Sequence, residues 1–285
     1  MDAMYLYKRL DDDFELESIT DEWSMLPKNE YISDQFLERY MGIMLDNSHI
    51  INHVYSATFP DEIVLKELLE KRVSNALLVS HHAMIWDPRL DGFPFRPIPD
   101  KYYLELKKRK ISFYVLYHPL DKNGKYSTAR TLANALKLEL FGEFCEYMGV
   151  KVGIIGRTNN KTIDSLKQAL QETVGHKVKV WNYGDQEISD QKVCVVGGGG
   201  NMPFIIKEVV RLGVNVYITG VTKPVKEFSP SIEFHELAKK YKINIIAATH
   251  YPTEKFACMA LVEYFRQLGV PCEFIEGKFY IEDYE

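Results

Sequence analysis

A chain of 285 residues, 46% of them hydrophobic and 26% charged, is long enough for one large α/β unit or for two lobes of ordinary size. No stretch approaches the roughly eighteen uninterrupted apolar residues of a spanning helix, which argues against a membrane protein, and a formal net charge of −5 gives no general pull toward nucleic acid. Residues 1–17 lack the apolar core of a secretory signal, and Cys145, Cys194, Cys258 and Cys272 are scattered without a C-x-x-C pair, a pattern that fits reduced thiols in a cytoplasmic protein.

Residues 1–33 are acidic and read as an irregular, peripheral extension, with Pro27 and Asn29 marking a break. Residues 50–56 have strand composition. Pro60-Asp61-Glu62 then opens a helix with acids in its first turn and Ile63, Leu65, Leu68 and Leu69 as its apolar positions. A strand over residues 76–79 follows, and the order strand, helix, strand predicts a parallel sheet. It ends at Ser80-His81-His82. After a proline-rich loop, residues 101–110 read as a helix whose Lys107-Lys108-Arg109-Lys110 end is solvated, and residues 111–117 as a strand closing on His118-Pro119-Leu120-Asp121. Downstream, helices are expected over residues 127–138, 161–173, 204–212, 231–241 and from about 252 to 268. Strands are expected over residues 150–155, 178–181, 193–196, 214–219 and 243–248, with an edge strand over 274–281.

Ligands in open α/β sheets sit at the carboxyl ends of strands, and imidazole is the commonest protein ligand for zinc-like metals. Neighbouring strand residues point to opposite faces, so His81 and His82 serve one site only where the chain leaves the sheet or where they flank two nearby metals; the other reading is two hydrogen-bonded loop histidines. Two further strand ends offer the same donor types, His118 with Asp121 and His250 with Glu254. The latter pair converges if a helix begins at His250. His49, His53 and His176 fall in segments that read as ordinary surface or loop, and His235 sits on a helix where a satisfied core histidine is the bland alternative. Gly197-Gly198-Gly199-Gly200 follows a strand and precedes a helix; such a loop either cradles an anion on free N–H groups or permits tight backbone packing, and no Gly-Lys-Ser/Thr follows to make it a P-loop.

Taken in order, Ser80-His81-His82, Pro119-Leu120-Asp121, the glycines before Asn201, Ile218-Thr219-Gly220, His235 and His250-Tyr251-Pro252-Thr253-Glu254 resemble the Nif-three-like dinuclear metal-centre proteins, some of which carry the name GTP cyclohydrolase one, type two. The resemblance spans residues 40–277. It implies a single two-lobed Nif-three-like α/β module over 1–285, with mixed or parallel sheets flanked by helices and approximate lobes 1–124 plus 255–285 and 125–254. It also implies two divalent metals in a cleft, zinc, iron, manganese or nickel by donor chemistry, and often a toroidal homohexamer. The ligands it implies are His81, His82, Asp121, His250 and Glu254, with His235 or His118 as proton shuttles. Two dications set against two carboxylates leave a cationic centre suited to a small anionic substrate, and so to a metal-dependent hydrolase of phosphate esters or ring C–N bonds; the alternative is a metal-binding scaffold or regulatory protein. Three positions depart from the family pattern: Ala83 replaces a proline, Tyr117 stands where the family has a histidine, and Val221 stands where an acid is usual.

Overall fold

The computed structural model describes residues 1–19, 26 and 29–285; Pro27 lies outside the described residues. In chain order the elements are α1 (Ala3–Asp13), α2 (Asp34–Arg39), β1 (Gly42–Leu45), β2 (His53–Ala57), α3 (Glu62–Glu70), β3 (Ala76–Ser80), β4 (Ile85–Trp86), β5 (Phe95–Arg96), α4 (Asp100–Lys108), β6 (Ile111–Val115) and α5 (Tyr117–Asp121). There follow α6 (Thr128–Ala135), β7 (Glu139–Tyr147), β8 (Val150–Arg157), α7 (Ile163–Val174), β9 (Lys179–Trp181), β10 (Lys192–Val195), α8 (Pro203–Arg211), β11 (Val216–Thr219), α9 (Ser229–Lys240), β12 (Asn244–Ala247), α10 (His250–Gln267) and β13 (Cys272–Phe274). The fold is α/β, in two units: Met1–Leu120 with Ala257–Lys278, and Asp121–Phe256 with Phe279–Glu285.

In the first unit the sheet order is β1-β6-β3-β2-β13. Strands β6, β3, β2 and β13 run parallel and β1 is antiparallel on the edge. Every residue of β3 and β6 is buried, as expected of parallel strands covered on both faces, whose sequences read as unbroken apolar runs. Leu78, Phe113 and Val115 face a core shared with Val64, Leu65 and Leu68 of α3 and Leu106 of α4. Each such side chain removed from water contributes about 1.5–3 kcal/mol. The register pairs Ala57 with Ser80 and Ser80 with Val115, so three strands end level with one another.

The second unit holds a six-stranded sheet, β7-β8-β10-β11-β12-β9. Its centre, β10-β11-β12, is parallel. Alternate residues feed two cores: Val193, Val195, Val216, Ile218 and Ile246 pack with Leu166 and Leu170 of α7, whereas Cys194, Tyr217 and Ile245 pack with Ile205 and Val209 of α8 and Phe234 of α9. The period of two along a strand thus supplies both layers.

Several expectations are corrected. Of the expected N-terminal extension over 1–33, residues 2–13 are not simply irregular and peripheral: α1 buries Ala3, Leu6, Tyr7 and Leu10, Asp2 caps it through the Tyr5 N–H, and its Asp11 and Asp13 accept the hydroxyls of Tyr114 and Tyr264. The strand expected to reach residue 117 stops at Val115, and α5 begins at Tyr117. The closing strand is Cys272–Phe274, earlier than read. The segment Phe279–Glu285 belongs to the second unit, not to the lobe that contains residues 257–278. All four cysteines are buried free thiols.

One buried charge sets a pH dependence. Asp61 precedes α3, is 4% exposed and has a carboxyl pushed up to about 7 by burial, which the Arg96 guanidinium and the Trp86 backbone offset only in part. The folded protein therefore holds a proton that the unfolded chain releases near 3.8. The associated stability is complete below that value and is lost as pH rises to about 7, an upper bound of roughly 4 kcal/mol by linkage. Asp61→Asn is expected to melt higher than the parent protein at pH 8 and equally at pH 4; an unchanged difference across that range contradicts this assignment.

Candidate metal centre

The level strand ends of the first unit bring three connections side by side: Thr58-Phe59 after β2, His81-His82 after β3 and Leu116-Tyr117 after β6. Backbone pairing continues past the strands, with His81 N–H donating to Ala57 O at 3.2 Å and His82 N–H to Thr58 O at 3.0 Å. The chain bends at His81, just past the end of β3, and the two imidazoles come to lie on one side. His81 Nδ1 lies 3.3 Å from Leu116 O, so the Nδ1–H tautomer is favoured and the Nε2 lone pair is presented, the arrangement usual for a ligating histidine whose second nitrogen binds a carbonyl. His82 stacks flat on Phe59, ring centroids 4.2 Å apart and planes 2° from parallel, and its ring is 4.3 Å from that of His81.

In the second unit the carboxyl ends of β10, β11 and β12 deliver Gly197–Gly200, Gly220 and His250. The chain leaves β12 through Thr249, which has φ 59°, a conformation that a β-branched residue adopts only where its surroundings impose it. The helix α10 then starts at His250, and one turn later Glu254 Oε1 lies 3.1 Å from His250 Nε2. Thr253, between them, accepts the Gly198 N–H at 3.0 Å and donates to Thr249 O and His250 O. Gly198 has φ 64°, and a Cβ there would fall on the Glu254 carboxylate and crowd His250 Nε2. A Cβ on Gly220 would strike Thr253 Oγ1, Gly198 O and Thr249 O. Of the two readings of the glycine loop, the structure thus supports tight packing, here against the carboxylate and imidazole themselves.

Among the described residues, one group of His, Cys, Asp or Glu side chains can hold a metal ion: His81, His82 and Glu254. They are 0%, 2% and 3% exposed. Two imidazoles and a carboxylate suit a divalent cation of the zinc, iron, manganese or nickel type. Asp121, on α5, is half-buried, and its Oδ1 accepts the Thr128 hydroxyl at 3.1 Å; His118, on the same short helix, is fully buried. Neither belongs to the group. His235 has both nitrogens engaged: Nε2 is 2.6 Å from Thr222 O and Nδ1 is 3.0 Å from the Tyr183 hydroxyl. Burial pushes its pKa down, against the opposing pull of the Thr222 carbonyl. Its ring is packed 4.4 Å from that of Trp181.

The family model Duf34/NIF3 (NGG1p interacting factor 3) matches residues 36–278. The chain belongs to this family. A Pyrococcus horikoshii relative named GTP cyclohydrolase 1 type 2 homolog is 30% identical over 241 residues, covering 83% of this chain and 88% of the relative. A Borreliella burgdorferi protein of the same name is 26% identical over 254 residues, covering 89% and 91%. Protein ybgI shares the fold with TM-score 0.75 at 18% identity, over 98% of this chain and 99% of that one. TTHA1606 from Thermus thermophilus does so with TM-score 0.70 at 21% identity, over 99% and 100%. The NIF3 fold is therefore established.

Tyr117 puts its ring 5.3 Å from that of His81 and 5.0 Å from that of His82. Ala83 packs at the edge of the first unit's core, and Val221 donates its N–H to Gly198 O at 2.9 Å. Leu116 and Phe59 act here without any donor signature of their own, because a carbonyl and a flat ring leave no motif.

Gly198→Ala tests the packing directly. Displacing the Glu254 carboxylate is expected to weaken cation binding about 10- to 100-fold, as loss of an outer contact to a ligand does, with a fall in stability of about 1 kcal/mol or more from the left-handed backbone. Calorimetric titration with zinc and thermal melting read the two effects; wild-type values for both contradict the placement of Gly198.

Proposed function

We propose that His81, His82, Asp121, His250 and Glu254 hold a pair of divalent cations, and that the protein is a hydrolase for a small anionic substrate, a phosphate ester or a nucleotide-like ring C–N bond. The observation that carries this reading is the buried His81, His82 and Glu254 group in a NIF3 family member. Divalent cations in such a site supply Lewis acidity and a water of lowered pKa. The contribution of the chain is orientation. Leu116 O fixes the tautomer of His81, Phe59 fixes the ring plane of His82, and Gly198 with His250 fixes the carboxylate of Glu254. Burial keeps bulk water from these groups, which strengthens every electrostatic interaction among them.

The name of the curated relatives points to GTP, and a triphosphate falls within the proposed substrate class. The Gly198 N–H, however, is donated to Thr253 Oγ1, and Gly198 O accepts the N–H groups of Gly220 and Val221, so Gly198 supports the donors and does not offer its N–H to a phosphate. We therefore base the reading on cation chemistry and not on guanine recognition. The family resemblance also carries a homohexamer into the proposal.

Elemental analysis and a hydrolysis screen over phosphate esters and nucleotides test the reading together. Metal-loaded wild type is expected to retain about two cations per chain under the paired-metal scheme and to turn over at least one substrate class. His82→Ala and Glu254→Ala should lose cation and at least the 10- to 100-fold in rate that even outer contacts to a ligand cost. Activity that survives Glu254→Ala unchanged contradicts the mechanism. Light scattering is expected to give the mass of six chains; a monomer contradicts the assembly.

A further inference from the structure

The segment Phe279–Glu285 lies beyond residue 278, the last residue matched by the NIF3 family model. We propose that it is a clamp on the first turn of α10, and that Asp283 is a positioning residue for His250 and Glu254; the role rests on the metal reading above.

The first N–H groups of a helix have no partner within it. At α10 the residue before the helix is Thr249, whose left-handed backbone turns the chain out of β12 and whose hydroxyl lies 3.4 Å from His176 Nε2. The His250 N–H instead donates to Asp283 Oδ2 at 2.7 Å, from a residue 33 positions away. Asp283 is 1% exposed. A carboxylate so deeply buried is costly unless it is hydrogen-bonded, and it is favourable at the positive end of a helix, where a charged acceptor makes a short, strong bond.

The rest of the segment holds Asp283 in place. Its carbonyl accepts the N–H groups of Thr222 and Lys223 at 2.8 and 2.9 Å. The Tyr284 hydroxyl donates to Lys177 O, and Lys179 Nζ donates to Tyr284 O, each at 3.0 Å. Phe279 stacks on His176, centroids 4.4 Å apart and planes 11° from parallel. His176 Nε2 in turn is 3.1 Å from Ala248 O, just ahead of Thr249. Both sides of the turn into α10 are thus tied to one short segment. Because His250 and Glu254 share the first helical turn, an error in that turn displaces both together.

The test is cobalt titration of metal-stripped, full-length protein, followed by visible absorbance, with hydrogen exchange on the peptide that contains His250. Asp283→Ala is expected to weaken Co(II) binding about 10- to 100-fold, alter the ligand-field band and speed exchange at His250. Asp283→Asn, which keeps an accepting oxygen, should recover most of the affinity and the wild-type band, a rescue that a general loss of stability would not show. If Asp283→Ala does not fold, Tyr284→Phe carries the test: weaker Co(II) binding supports the clamp and unchanged binding overturns it. Equal Co(II) binding by wild type and Asp283→Ala overturns the clamp and leaves the metal reading standing. A wild type that binds no Co(II) overturns the metal reading and the positioning role with it.

Discussion

Keeping imidazoles and a carboxylate out of water is the constraint to which the local structure answers. A buried polar group destabilises a fold unless each donor and acceptor is oriented toward a partner. The His81 ring is fixed by the carbonyl of Leu116, the His82 ring by the face of Phe59, and the Glu254 carboxylate by His250 and by the space that Gly198 leaves open. None of these supports except His250 is itself a candidate ligand. They are what converts three side chains of suitable chemistry into groups with one orientation each.

Both units reach that end by the same topological means. Parallel strands in register finish level with one another, and the residues just beyond them are necessarily neighbours. In the first unit this places Phe59, His81, His82 and Tyr117 together; in the second it places Gly198, Gly220 and Thr249 together, with His250 next in the chain. The strain at Thr249 follows from the same geometry, since the chain must leave the sheet and enter α10 within two residues.

Much of this was readable from the residues. Strands β3, β10, β11 and β12 are buried on both faces, so each is a short apolar run, and the donors that follow them stand out against it. The spacing of His250 and Glu254 announces one helical turn. Other parts left no such trace. The acids of α1 hide the spacing of Leu6, Tyr7 and Leu10, which makes a packed helix look like a solvated tail. Strand β7 alternates poorly, with a register shift between Leu140 and Gly142 and most of its residues exposed or half-exposed. Asp283 meets His250 across 33 residues with no periodicity to announce it. Local pattern encodes elements and strand ends; it does not encode which distant backbone group will need an acceptor.

The most direct measurement is anomalous X-ray scattering from crystals of metal-loaded protein, recorded at the absorption edge of the bound element. A peak within coordination distance of His81, His82 and Glu254 is the predicted result. A fully loaded crystal whose anomalous peaks all lie elsewhere would contradict the account.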